Sequence, residues 1–186
     1  MPATFVSVRP ARTSDVDDIA AVQVASWRQR FGDLLPARIL DGLVPREVAD
    51  QWATSILLPA TPAHRVLVAV EDDRVVGFTA IAPAQTPDAQ ASDGELIALE
   101  VDPAAQRRGH GSRLISAAVD HAREVPWSTM SAWHPLADEV RRGFLVSAGW
   151  GPDGAFRDLQ AGIDPDDFVV REVRLVTVVG PEPHAS

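Results

Sequence analysis

The sequence predicts an α/β fold: one mixed sheet with helices on its faces. Three observations predict it. Strand-like and helix-like periodicities follow one another as β–α–α(–α)–β–β–β–α–β–α–β–β along 186 residues. A glycine-rich turn, "QRRGHGSRL" (Gln106–Leu114), joins an apolar run to a helical pattern. Neither an internal repeat nor a linker interrupts the chain, whose length suits one domain with a sizeable core. That domain is expected over residues 1–179, with a disordered tail at 180–186.

The elements follow in order. "FVSVRPA" (Phe5–Ala11) alternates as a short strand. Ser14 or Thr13 then caps a helix with Asp15, Asp17 and Asp18 in its first turn and an apolar stripe of Val16, Ala20, Val24, Trp27 and Phe31. "LPARILDG" reads as a short helix ended by Gly42, and a third helix starts at Pro45 with Val48, Trp52 and Ile56 on one face. "HRVLVAVE" and "RVVGFTAIA" form a hairpin through Asp72–Asp73, closing at Pro83. A polar loop (Pro83–Gly94) leads to a strand from Glu95 to Val101, the glycine-rich turn, and a helix to about Glu124 that buries Leu114, Ile115, Ala118 and Ala122. Thr129–Trp133 is a strand. Asp138–Ala148 is a helix around Val140, Phe144 and Leu145, stopped by Gly149. Strands at Gly154–Gln160 and Phe168–Val178 flank the loop "AGIDPDD".

Composition removes several function classes. With no cysteine there is no disulfide, thiolate metal site or cysteine nucleophile. The five histidines (His64, His110, His121, His134, His184) have no metal-ligand spacing, so no metal is expected. A net charge of −9 lacks the basic footprint that nonspecific nucleic-acid binding needs. Apolar runs such as "VLVAV" are too short for a membrane span, and the N-terminus has no signal-peptide pattern, so a cytoplasmic protein is expected.

The glycine-rich turn is built to hold an anion. A helix start exposes unpaired N–H groups and partial positive charge, and glycines let an anion approach the backbone. It is not a P-loop, because one residue separates Gly109 from Gly111 and no Lys follows. It is not a dinucleotide fingerprint, because residue 114 is Leu where a third glycine is required. Arg107 and Arg108 add charge at the rim, and a pyrophosphate suits the arrangement better than a small carboxylate.

Gln106-Arg107-Arg108-Gly109-His110-Gly111 resembles the Gln/Arg-x-x-Gly-x-Gly/Ala motif of the GNAT superfamily of N-acetyltransferases. The lead-in "LEVDPAAQRRGHG" resembles the family's Leu-x-Val-x-Pro strand exit. "RRGFLVSAGW" resembles its later helix, and the likeness extends to the N-terminal "RPARTSDVDDIAAVQVASWRQRF". The resemblance implies a mostly antiparallel sheet of the acyl-CoA N-acyltransferase fold and acetyl-CoA as co-substrate. Its pyrophosphate would lie on Gln106, Arg107, Arg108, Gly109, His110, Gly111 and Ser112, with the pantetheine arm and acetyl oxygen on backbone groups of Leu99–Val101. It implies direct transfer to a primary amine: a small molecule, a peptide N-terminus or a lysine. No nucleic acid and no membrane takes part, and relatives being commonly dimers allows a homodimer.

Such a reaction needs a base. Glu95 sits where some members keep a glutamate base, whereas Glu100 is nearer the expected acetyl group; strict alternation puts the two on opposite faces. His134 is a third candidate. Many members protonate the departing thiolate with a Tyr. Here that position is Leu145 and the chain has no Tyr at all, leaving Ser147 or water. Asp138 stands where relatives often have Asn. Leu145 motivates a rival reading, a non-catalytic acyl-CoA-binding sensor or assembly module. For the acceptor pocket, Trp27, Arg28, Phe31, Trp52 and the acidic Asp164, Asp166 and Asp167 are candidates, with Trp27 and Trp52 equally suited to a helix core.

Overall fold

A computed structural model describes residues 5–161 and 168–180. Residues 181–186 of the expected tail and the Asp164, Asp166 and Asp167 cluster lie outside the described residues. In chain order the elements are β1 (Val6–Pro10), α1 (Val16–Phe31), α2 (Ala37–Asp41), α3 (Pro45–Leu57), β2 (Arg65–Glu71), β3 (Arg74–Pro83), β4 (Asp93–Val101), α4 (His110–Glu124), β5 (Thr129–Pro135), α5 (Glu139–Ser147), β6 (Gly151–Ala161) and β7 (Phe168–Val178). The strands form one sheet in the order β1-β2-β3-β4-β5-β7-β6, antiparallel except where β4 meets β5. The predicted sheet with helices on both faces is therefore the observed one.

Each face buries a distinct apolar set. Leu114, Ile115, Ala118 and Ala122 of α4 and Leu145 of α5 pack with Ile81, Leu96, Leu99, Met130 and Ala132 of the sheet. On the other face Ile19 and Val22 of α1 meet Val68, Val75 and Phe78, with Trp52 of α3 edge-on to Phe78 at 5.0 Å. Trp52 donates Nε1–H to Gln23 Oε1 at 2.6 Å, so it is a core residue rather than pocket lining.

Three local expectations change. Neither Ser14 nor Thr13 caps α1. Residues 13–15 form a 3-10 turn, and Asp15 accepts from the Arg12 N–H at 2.7 Å and from both Arg9 terminal nitrogens at 2.7 and 3.0 Å. The Arg9 bonds hold the Asp15 carboxyl below its ordinary pKa. Val140, expected to be apolar-facing, is 76% exposed, because α5 turns Leu145 rather than Val140 to the core. Strand β6 starts three residues before the predicted Gly154.

The departure with most consequence lies in β4. Ala80 pairs with Ala98 but Ile81 pairs with Leu96, so Ile97 is an extra residue bulged out of the ladder. A one-residue insertion reverses the facing of everything before it. Leu96 joins Leu99 in the α4-side core. Glu95, opposite Ala82, thereby shares the α1 face with Ala98 and Glu100, the latter paired with Phe78. The expectation that Glu95 and Glu100 point to opposite faces is corrected by this bulge.

Candidate active site

Strands β4 and β5 pair only over Asp93–Glu95 with Thr129–Ser131. Beyond that they diverge, leaving the β5-facing edge of β4 from Leu96 to Val101 without a strand partner. The sheet is thus split by a wedge that widens toward the C-terminal ends of the two strands.

The glycine-rich turn closes the wide end. Asp102 caps a short 3-10 turn (Pro103–Ala105) by accepting from Ala104 N–H at 2.9 Å, and the chain then reverses into α4. Arg107 (φ 63°) and Gly109 (φ 82°) both adopt left-handed backbone, and Gly109 is the residue just before the helix. The N–H groups of His110, Gly111 and Ser112 belong to the first turn, where no intrahelical acceptor exists. Gln106 Nε2 donates to Gln29 Oε1 at 3.0 Å, tying the turn to α1. Arg108 is exposed but already engaged. It is held by Glu71 at 3.2 Å and by Ala104 O at 3.2 Å, while Arg107 and Arg113 are exposed at the rim. His110 is buried under the turn with Nε2 3.6 Å from Glu71 Oε2, not facing solvent. Gly111 has a second duty that its sequence context conceals: a Cβ there would stand 3.1 Å from Phe144 Cζ of α5. These features fit a pyrophosphate: a positive helix end, a left-handed glycine turn and the exposed guanidinium groups of Arg107 and Arg113, the latter braced on Arg108 O at 3.0 Å.

The two candidate glutamates stand in different surroundings. Glu100 is 4% exposed and accepts from Ser26 Oγ at 2.6 Å, Trp27 Nε1 at 3.3 Å and Arg30 at 2.9 Å. Arg30 also lies with Nε 3.3 Å from Asp138 Oδ2, close enough for ion pairing but not aligned for a hydrogen bond. Arg141 of α5 completes the cluster, donating to Leu99 O at 2.7 Å with the same nitrogen 3.8 Å from Glu100 Oε1. With its carboxylate engaged by donors from three residues of α1, Glu100 ties α1 to β4. Glu100→Gln is expected to lower stability by about 2 kcal/mol, about 4–8 °C in Tm, because it strips the charge that Arg30 and Arg141 were buried against. Thermal melts check this, and an unchanged Tm would remove Glu100 from its structural role.

Glu95 lines a cavity of about 700 Å³ on the α1 face together with His64, Ile97, Trp133, Arg157 and Arg174. Burial, more than any neighbouring charge, pushes its carboxyl pKa up; Arg157 partly opposes the shift. Arg157 and Arg174 lie over the Trp133 ring at 4.4 and 5.5 Å. Both are matched by acids: Arg157 by Glu172 at 2.7 Å, and Arg174 by Asp88 and Asp153 at 2.7 Å each. The floor of the cavity is thus a fixed lattice of ion pairs, and Glu95 is the one carboxylate lining it with no hydrogen bond among the described residues.

The remaining candidates are located as follows. His134 is buried, Nδ1 sits 2.9 Å from Pro135 O, and desolvation lowers its pKa. Ser147 donates to Phe144 O at 2.7 Å on the exposed side of α5, and Leu145 is fully buried, so neither brings a hydroxyl to the wedge. Asp138 caps α5 by accepting from Arg141 N–H at 3.0 Å. Trp27 is edge-on to Phe31 at 5.7 Å, and Arg28 is exposed. Sequence reasoning missed Arg30, Ser26 and Arg141. Arg30 was visible in principle, one helical turn after Ser26; Arg141 carries no local signal. No group of three or more His, Asp or Glu able to hold a metal occurs among the described residues, and no helix there is long and apolar enough to cross a membrane.

Comparison with known proteins gives one consistent family. The model of the acetyltransferase (GNAT) family matches residues 25–144, well over half of the chain. The uncharacterized N-acetyltransferase YuaI of Bacillus subtilis (strain 168) is 29% identical over 174 residues, covering 94% of this chain and 91% of its own. Among solved structures, PaiA N-acetyltransferase from Thermoplasma acidophilum in complex with coenzyme A is similar at TM-score 0.72 and 15% identity, with 90% of this chain and 98% of that one covered. The structure of yncA from Salmonella typhimurium with its cofactor acetyl-CoA is similar at TM-score 0.67 and 20% identity, with 97% and 96% covered.

Proposed function

Because this chain belongs to the GNAT family of acetyltransferases, we propose that it moves the acetyl group of acetyl-CoA directly to a primary amine on a small molecule, a peptide N-terminus or a lysine. The observation that carries this reading is the split sheet, with an anion cradle at one end of the splayed β4 edge and Glu95 in a cavity at the other. The fold neighbours PaiA and yncA, which hold coenzyme A and acetyl-CoA, support the choice of co-substrate. Acetyl-CoA supplies an acyl group already activated as a thioester. The cradle of Gly109 to Ser112 would take its pyrophosphate, with Arg107 and Arg113 at the rim, and the open edge from Leu99 to Val101 would pair the pantetheine amides. Glu95 is the base in this reading. An alkylammonium has a pKa near ~10, so a proton must leave before attack, and a carboxylate raised by burial accepts it better than an ordinary one. That base, in a cavity reached through the wedge, favours an enzyme over a non-catalytic acyl-CoA sensor. We also read the protein as cytoplasmic.

A thiol-reactive dye tests the reading without background, because the chain has no cysteine. CoA release is expected from acetyl-CoA in the presence of one class among polyamines, amino acids, aminoglycosides and peptides. Saturating CoA, at about 100 times its Kd, should stabilise the fold by ~2.7 kcal/mol, about 5–10 °C in Tm. Stabilisation with flat release traces across the panel would return the sensor reading, and no stabilisation would sink both.

A further inference from the structure

We propose that Arg141 is the leaving-group cation of this enzyme: its guanidinium neutralises the CoA thiolate as the C–S bond breaks, in a chain that has no tyrosine to protonate it. The inference rests on the acetyl-transfer reading above. Its geometric basis is the wedge. The cradle belongs to α4, on one face of the sheet, and the Glu95 cavity opens on the other, so a donor held by the cradle reaches Glu95 only through the gap between β4 and β5. Arg141 crosses this gap. It starts from α5, on the cradle face, and ends 2.7 Å from Leu99 O and 3.8 Å from Glu100, whose side chain lies on the other face. Its side chain is 10% exposed, and its other N–H groups have no acceptor among the described residues.

The local charges leave this cation short of an anion. Arg30 on α1 stands 2.9 Å from Glu100 and 3.3 Å from Asp138, taking the nearest approach to both carboxylates. Arg141 keeps a neutral carbonyl, one oxygen of Glu100 at 3.8 Å and the field of Asp138, sharing both carboxylates with the nearer Arg30. Glu172 on β7 acts on it weakly, and burial depresses its pKa without discharging it, since a guanidinium stays protonated throughout the working range. His134 on β5, whose pKa is lowered mainly by desolvation, is neutral above its ordinary 6.5 and adds no competing charge. The chemistry delivers the missing anion. Glu95 takes the ammonium proton before attack; the free amine nitrogen then bonds to the acetyl carbon and releases its second proton to water as the C–S bond breaks, and sulfur departs with the electron pair. Arginine cannot donate a proton here, so its part is electrostatic, and water protonates the thiolate after release.

The test titrates the thiol of bound CoA by its ultraviolet thiolate absorbance. With no cysteine and no tyrosine in the chain, no protein thiolate or phenolate contributes. The midpoint is expected to fall by at least about one unit below that of free CoA in the wild-type complex. Arg141→Lys should keep most of that shift and Arg141→Met should abolish it. Should Arg141→Met fail to fold, wild type alone suffices: its affinity for CoA relative to desulfo-CoA should rise by at least about threefold between about pH 6 and about pH 9. Bound CoA with the midpoint of free CoA, or a flat affinity ratio, overturns the role of Arg141 while leaving the transferase reading intact. Failure of CoA to bind at all overturns that reading, and this inference with it.

Discussion

Glu95→Gln is expected to lower kcat/KM for the amine by about 10²- to 10⁴-fold, the usual contribution of a positioned general base. The pH profile separates this from a structural effect. The base works deprotonated, so in wild type the rate falls as pH drops through the Glu95 pKa. Burial raises that pKa above the ordinary 4.5, so the acidic limb should lie above the usual carboxylate range and should vanish in the variant. Stability should move the other way. A carboxylate whose folded pKa is raised gives the fold its full benefit below the unfolded pKa, and that benefit is lost as pH rises through the folded pKa. At neutral pH the ionised Glu95 therefore costs stability, and glutamine, carrying no charge to desolvate, should leave Tm unchanged or higher. An acidic limb that survives the substitution would move the base to His134 or a water chain. Glu100→Gln should show the opposite pair of outcomes, with Tm down and the limb retained.

The contrast between these glutamates marks where sequence reasoning reached its limit. Periodicity located the sheet, the hairpin through Asp72–Asp73 and the helices because each signal is local: a two-residue alternation, a proline at a helix start, a glycine at its end. The glycine turn into α4 was legible for the same reason, since Gly109 and the first turn of the helix are contiguous. Alternation failed at β4 because a bulge at Ile97 is dictated by pairing with Ala80 and Ile81, some sixteen residues away, and nothing in "ELIALEV" announces it. The ion cluster was invisible for a related reason. Ser26, Arg30, Glu100 and Arg141 come from three elements, and only the folded sheet brings α1 and α5 to the same strand. The absence of tyrosine was evident from composition, but the residue placed to compensate for it was not.

Ser112→Glu should weaken CoA binding by about 100-fold while leaving the fold at least as stable. Gly111 is the poorer place for this test, because any side chain there meets Phe144 at 3.1 Å and confounds binding with packing. Ser112 is exposed and occupies the third position of α4. Glutamate at that position is favoured by the helix dipole, by about 0.3–1 kcal/mol, so Tm should stay level or rise by up to about 3 °C. The same carboxylate stands beside the N–H groups that would cradle the pyrophosphate. Like charges about 4 Å apart near a surface repel by several kcal/mol before screening, enough for a loss of ~100-fold in affinity. Because the repulsion is between exposed charges, raising ionic strength should recover part of the loss. Calorimetric titration of CoA at low and high salt, alongside thermal melts, reads all three quantities. Undiminished affinity in a variant that melts normally would place the pyrophosphate away from α4, since no other outcome of adding a negative charge to an anion cradle leaves binding intact.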